Sequence, residues 1–122
     1  MTDRFELQEI LYRAVYPPEI MPMFWKENGK ISSAVFKDKN GLSVERGCNR
    51  TDKAVVDSMR LFFYGAIISV LVMDCVECNS LVRYLPSQRS RYHSEIHSSC
   101  DRKLLSQSQC KHLAEMARVV AL

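Results

Sequence analysis

Apolar residues change their spacing several times along this chain, and each change marks an element. Over 3–15, Leu7, Ile10, Leu11 and Ala14 recur at helical intervals behind a Thr2 cap, with acidic Asp3 and Glu6 in the first turn, which predicts a helix. Tyr12, Val15 and Tyr16 favour extended backbone, so a strand over 10–16 competes with that helix. Pro17-Pro18 ends either element. Residues 19–29 show no period; there the pattern folds Met21, Met23, Phe24 and Trp25 back toward the core and makes Asn28-Gly29 a turn. Residues 31–36 and 42–45 read as two short strands of a hairpin, joined by a connection that ends in Gly41.

Thr51-Asp52 opens a predicted helix that runs to about residue 63, with Val55, Met59 and Phe62 as its apolar stripe and Gly65 as its stop. Residues 66–73 are almost continuously apolar and rich in Ile and Val, as a central strand covered on both faces would be. A turn follows over 74–80, then a strand over 81–85 stopped by Pro86. Residues 87–102 are polar and basic and carry no decisive pattern. The chain closes with a helix over 107–119, where Ser106 and Gln109 have capping-box spacing and Leu113, Met116, Ala117 and Val120 share a face. Together these elements predict one α+β domain over residues 1–122: a small, mostly antiparallel sheet of about four or five strands with two or three helices packed on one face.

Composition sharpens the exclusions. With 47% hydrophobic and 25% charged residues, the 122-residue chain is far from a disordered profile and too short for a second full domain or a multi-layer enzyme fold. Seventeen basic against fourteen acidic residues give a net charge of +3, an excess too small to name a partner by itself. The acidic, polar start is unlike a signal or transit peptide, and the apolar run over 61–73 is too short to span a bilayer, so no membrane role is expected. Five cysteines, an odd number, read as reduced thiols of a cytoplasmic protein.

Four groups of residues could carry chemistry. Cys75-x2-Cys78 followed by His93-x3-His97 has the ligand spacing of a tetrahedral zinc site, but it follows a highly apolar strand, where small buried thiols are common without metal. In an extended run, His93, Glu95 and His97 would point to one face, where two imidazoles and a carboxylate suit general acid–base catalysis or a divalent metal; the plainer reading is a solvated strand. Arg13, Ser32, Ser33, Ser43 and Arg46 lie among apolar neighbours, with Ser33 on the face of Ile31 and Val35, and guanidinium groups beside a hydroxyl suit a phosphate or nucleotide groove; the plainer reading makes Ser33 and Ser43 ordinary strand hydroxyls. An arginine on one strand followed by a serine-bearing strand is similar to the layout of ADP-ribosyl-transferring enzymes. That resemblance implies a later catalytic glutamate, and Glu95 alone is placed for it by order. Finally, seven basic residues from Arg83 onward, Arg89 and Arg91 among them, face three acidic ones and are interleaved with Tyr84 and Tyr92, a pattern that can follow a nucleic-acid backbone.

Two functions follow. The first expectation is an accessory module that docks through Phe24 and Trp25 onto a protein or nucleoprotein partner, or onto a second copy of itself. The alternative is a small enzyme or nucleotide- and phosphate-binding domain that uses the His93–Glu95–His97 segment with Arg13 or Arg46 and is metal-assisted if zinc is held.

Overall fold

Strand alternation decides the N-terminal third of the computed structural model, which describes residues 1–122. The helix expected over 3–15 is absent, and β1 (Ile10–Val15) takes its place. Leu11 and Val15 point into the main core while Tyr12 and Ala14 point to the opposite face. A strand paired along both edges buries both sets, whereas a helix would cover only one stripe. The predicted hairpin is also absent. Its first arm is a short 3-10 helix (Ser33–Phe36), in which adjacent Val35 and Phe36 are both buried. A strand with one covered face cannot bury two consecutive side chains. The second arm is β2 (Leu42–Arg46), whose partners are β1 and a strand fifty residues downstream.

Thr51 caps α1 (Asp52–Met59), its hydroxyl accepting from the Ala54 amide at 3.2 Å. The helix stops one turn earlier than its apolar stripe suggested, and Phe62 lies 57% exposed beyond it. Next comes β3 (Ala66–Leu71), an interior strand buried on both faces as its continuous apolar run implied. The expected turn over 74–80 is instead mostly a short helix, α2 (Val72–Glu77), whose Asp74 carboxylate accepts from the Leu71 amide at 2.8 Å. Then follow β4 (Leu81–Tyr84), β5 (His93–His97) and α3 (Gln107–Met116). A last strand, β6 (Arg118–Ala121), pairs with β3 where the closing helix had been expected to continue.

The six strands form one sheet in the order β4-β5-β2-β1-β3-β6, antiparallel throughout. The fold is α+β, with one or two strands more than the pattern suggested. Helices cover both faces rather than one. Residues of α2, α3 and the 3-10 helix join Leu11, Val44, Ile68 and Ile96 in the main core; Val55 and Met59 of α1 pack with Tyr12 and Ile67 on the other face. No helix is long and apolar enough to cross a membrane.

Candidate functional site

The pairing of β1 with β2 covers only Leu11 with Arg46 and Tyr12 with Glu45. Past that point the two strands part, and the opening is filled by Arg13. Its Nε donates to the Val35 carbonyl at 3.2 Å and its Nη1 to the Ser43 carbonyl at 2.8 Å. No carboxylate bonds to this guanidinium. Burial lowers its pKa from the ordinary arginine value, and Asp38 acts on it only through space. Desolvated positive charge held by neutral acceptors alone is a standing attraction for an anion.

Arg13 forms part of the wall of a cleft of about 910 Å³ on the face that carries α1. Ser43 and Glu45 enter it from β2, His93 from β5, Phe62 and Phe63 from the turn after α1, and Arg89 and Ser90 from the β4–β5 connection. Antiparallel register explains the convergence. Glu45 lies opposite His93, and Ser43 lies opposite Glu95, so all four share one face. His93 bonds twice: Nδ1 sits 2.7 Å from the Leu85 carbonyl and Nε2 sits 3.2 Å from Ser43 Oγ. Ser90 Oγ donates to Glu45 at 2.7 Å, and Arg50 approaches the other Glu45 oxygen at 3.4 Å. This ties the connection to the sheet. Arg89 is exposed and stands 5.8 and 5.7 Å from the ring centres of Phe62 and Phe63, within range of cation–π attraction. On the cleft floor Tyr12 is fully buried, its phenol donating to Asp52. Burial first, and the Asp52 carboxylate second, push that phenol well above its ordinary value, so Tyr12 is a neutral donor.

Arg13, His93 and Arg89 therefore gather at one site, while the other candidates stand apart. Arg46 is buried on the main-core side, where it holds Glu9 through Nε and Nη2 at 2.8 Å each and donates to the Thr2 and Arg4 carbonyls. Glu95 and His97 share the cleft's face of the sheet but line its neighbourhood, bonded to each other at 2.7 Å beneath Gly41. Ser33 falls in the 3-10 helix rather than on a strand, so the serine that follows the arginine at the cleft is Ser43. Phe24 and Trp25 are half-buried against the main core, with Trp25 Nε1 donating to the Tyr16 carbonyl at 2.9 Å. Arg91 is exposed outside the cleft, its guanidinium 5.5 Å from the Tyr92 ring.

The four residues with zinc spacing are also separated. Cys75 is buried in α2, and burial raises its thiol to about 12. Cys78 contacts the Cys75 carbonyl, and the two histidines are engaged as above. No group of three or more His, Cys, Asp or Glu side chains is arranged to hold a metal ion.

Ser43 was among the polar residues of the phosphate-groove group, whereas Glu45, Ser90, Phe62 and Phe63 carried no site motif. Ser43 alternates outward between Leu42 and Val44, a signal visible in the chain, but its meeting with His93 depends on the β2–β5 pairing. No family model, curated protein or solved structure matches this chain.

Proposed function

We propose that this chain is a small nucleotide-binding domain whose cleft takes an anionic nucleotide, with phosphate at Arg13 and Arg89 and the base against Phe62 and Phe63. The observation that supports this best is Arg13. Arg13 lines the 910 Å³ cleft, and its desolvated guanidinium, with two carbonyl partners and no bonded carboxylate, has the chemistry of an oxyanion anchor. Arginine beside exposed aromatic rings adds a platform for a flat heterocycle. The cleft is large enough for a ligand of nucleotide size.

Calorimetric titration with ADP, a nicotinamide dinucleotide and inorganic phosphate tests this reading. The dinucleotide belongs in the set because of the Arg13-then-serine layout. At least one nucleotide should bind saturably and more tightly than phosphate. Arg89→Ala combined with Phe62→Ala, both at exposed positions, should weaken binding by at least about tenfold, the loss expected when a charge-assisted hydrogen bond goes. Arg13→Lys, which keeps the charge but loses the fork, should weaken it as well. Absence of nucleotide binding, or binding indifferent to these substitutions, would refute the assignment.

One observation favours a second reading, self-association. Leu61, Phe62, Phe63 and Tyr64 are consecutive and 78, 57, 40 and 69% exposed, a concentration of apolar surface that suits an interface core. Light scattering at two concentrations, with Leu61→Asp as the control, separates a dimer from a monomer.

A further inference from the structure

We infer that Ser43 and His93 form a nucleophile and general-base pair that opens a phosphoester bond in this cleft, an inference that rests on the phosphate-binding reading above. Ser43 is exposed in the cleft on β2, and its hydroxyl has one neighbour in hydrogen-bond range, His93 Nε2 at 3.2 Å. That separation lies within the reach of base-activated nucleophiles. The other ring nitrogen settles the direction of proton flow. Nδ1 faces the Leu85 carbonyl at 2.7 Å, and a carbonyl can only accept, so Nδ1 carries the hydrogen. In the neutral ring Nε2 is then left with its lone pair toward Ser43. The Leu85 carbonyl is a positioning group: it holds both tautomer and ring plane, the part a third residue plays in catalytic triads.

The charge-stabilising partner is also present. Arg13 lines the cleft and spends Nε and Nη1 on carbonyl oxygens, one of them the backbone carbonyl of Ser43, so its positive charge stands next to the nucleophile's own residue. Arg89 at the rim supplies a second positive charge.

The reaction balances without any group the chain lacks. Ser43 Oγ attacks phosphorus and its proton passes to His93 Nε2. The bond from phosphorus to the leaving oxygen breaks, and that oxygen takes the proton from His93. Water then attacks the phosphoserine and gives a proton to Nε2. The Oγ–P bond breaks, and Ser43 recovers its proton. One phosphoester and one water become one alcohol and one phosphate.

The test uses p-nitrophenyl phosphate with the intact chain, following nitrophenolate release and mapping the acid-quenched protein by mass spectrometry. Release should fall at least about a hundredfold in both Ser43→Ala and His93→Gln, the scale of a lost nucleophile or base. Any trapped phosphoryl group should map to the peptide that contains Ser43. Circular dichroism of each variant reports folding, which substitution at an exposed serine leaves intact. Release that persists in Ser43→Ala, or a phosphoryl group on another residue, overturns the pair. If the wild-type protein binds ADP yet releases nothing, the pair is overturned and the nucleotide site stands. If it binds no nucleotide and releases nothing, both readings fall.

Discussion

Burial sorts the ionisable side chains into those that respond to solvent and those that do not. Cys75 is fully buried and its thiol is pushed up to about 12; burial raises Cys110 too, whereas Cys100 is exposed. Thiolate is the reactive form. Iodoacetamide at pH 8 should therefore modify Cys100 in the native protein and leave Cys75 and Cys110 unmodified, as peptide mass mapping would show; rapid labelling of Cys75 would place it outside the core. The Asp52 carboxylate responds in the opposite direction. Tyr12 and then Arg118 stabilise its charged form and hold it below the ordinary carboxylate range. A depressed folded-state pKa contributes stability that is complete above the unfolded value and fades as pH falls through the folded one. Wild-type protein should thus lose part of its advantage over Asp52→Asn as pH drops below about 4, read from urea midpoints at each pH. An unchanged gap would mean that the contact contributes nothing. At this scale the sequence announced candidate side chains but not their neighbours. Arg13 and Arg46 look alike as arginines among apolar residues, yet one meets only carbonyls and the other a carboxylate, Glu9.

Local signals worked where a cap or a strict period was present. Ser106 and Gln109 form the capping box their spacing indicated, each satisfying the other's amide. Gln109 also bonds to the Ser98 and Cys78 carbonyls, so the cap joins α3 to β5 and α2. Ser106→Ala should cost about 1 kcal/mol, measured by chemical denaturation, with no effect on the cleft. Leu113 is fully buried on the same helix, and its truncation to Ala should cost roughly 2–5 kcal/mol. Signals failed where long-range pairing competes with local preference. The N-terminal helical spacing yields to β1 because Ile10 through Val15 all find partners on β3. Ser33–Phe36 yields to a 3-10 turn because two adjacent apolar residues are buried together. For β5, alternation did place His93, Glu95 and His97 on one face once the run was taken as extended, and the register bears that geometry out. Gly41, in the left-handed region at φ 95°, brings backbone against the Glu95–His97 pair, so Gly41→Ala should lower stability and displace that pair. A variant as stable as wild type would show that the backbone there yields easily.

For the molecule as a whole, two cores on opposite faces of one sheet hold the parted strands that frame the cleft. Arg46 fastens the N-terminal segment to the sheet through Glu9, the Thr2 and Arg4 carbonyls and the Phe5 ring 4.0 Å from its guanidinium carbon. Removing one member of a buried ion pair strands the other, so Arg46→Ala should cost about 3–5 kcal/mol and expose residues 1–9 to protease. Because Arg46 stands outside the cleft, nucleotide binding by the folded fraction should survive. The composition and alternation were enough for an α+β fold, but the site needed the strand order, since β1, β2 and β5 are distant in the chain and adjacent in the sheet. On the proposed reading, Arg13 anchors a nucleotide phosphate in the opening between β1 and β2. The decisive experiment is an ADP titration followed by NMR, observing the Arg13 Nε–H together with the backbone amides. Saturable shifts should appear at Arg13, Ser43, Arg89 and His93, with little change at Arg46 or α3. Shifts confined to other surfaces, or an Arg13 signal unmoved at saturation, would contradict it.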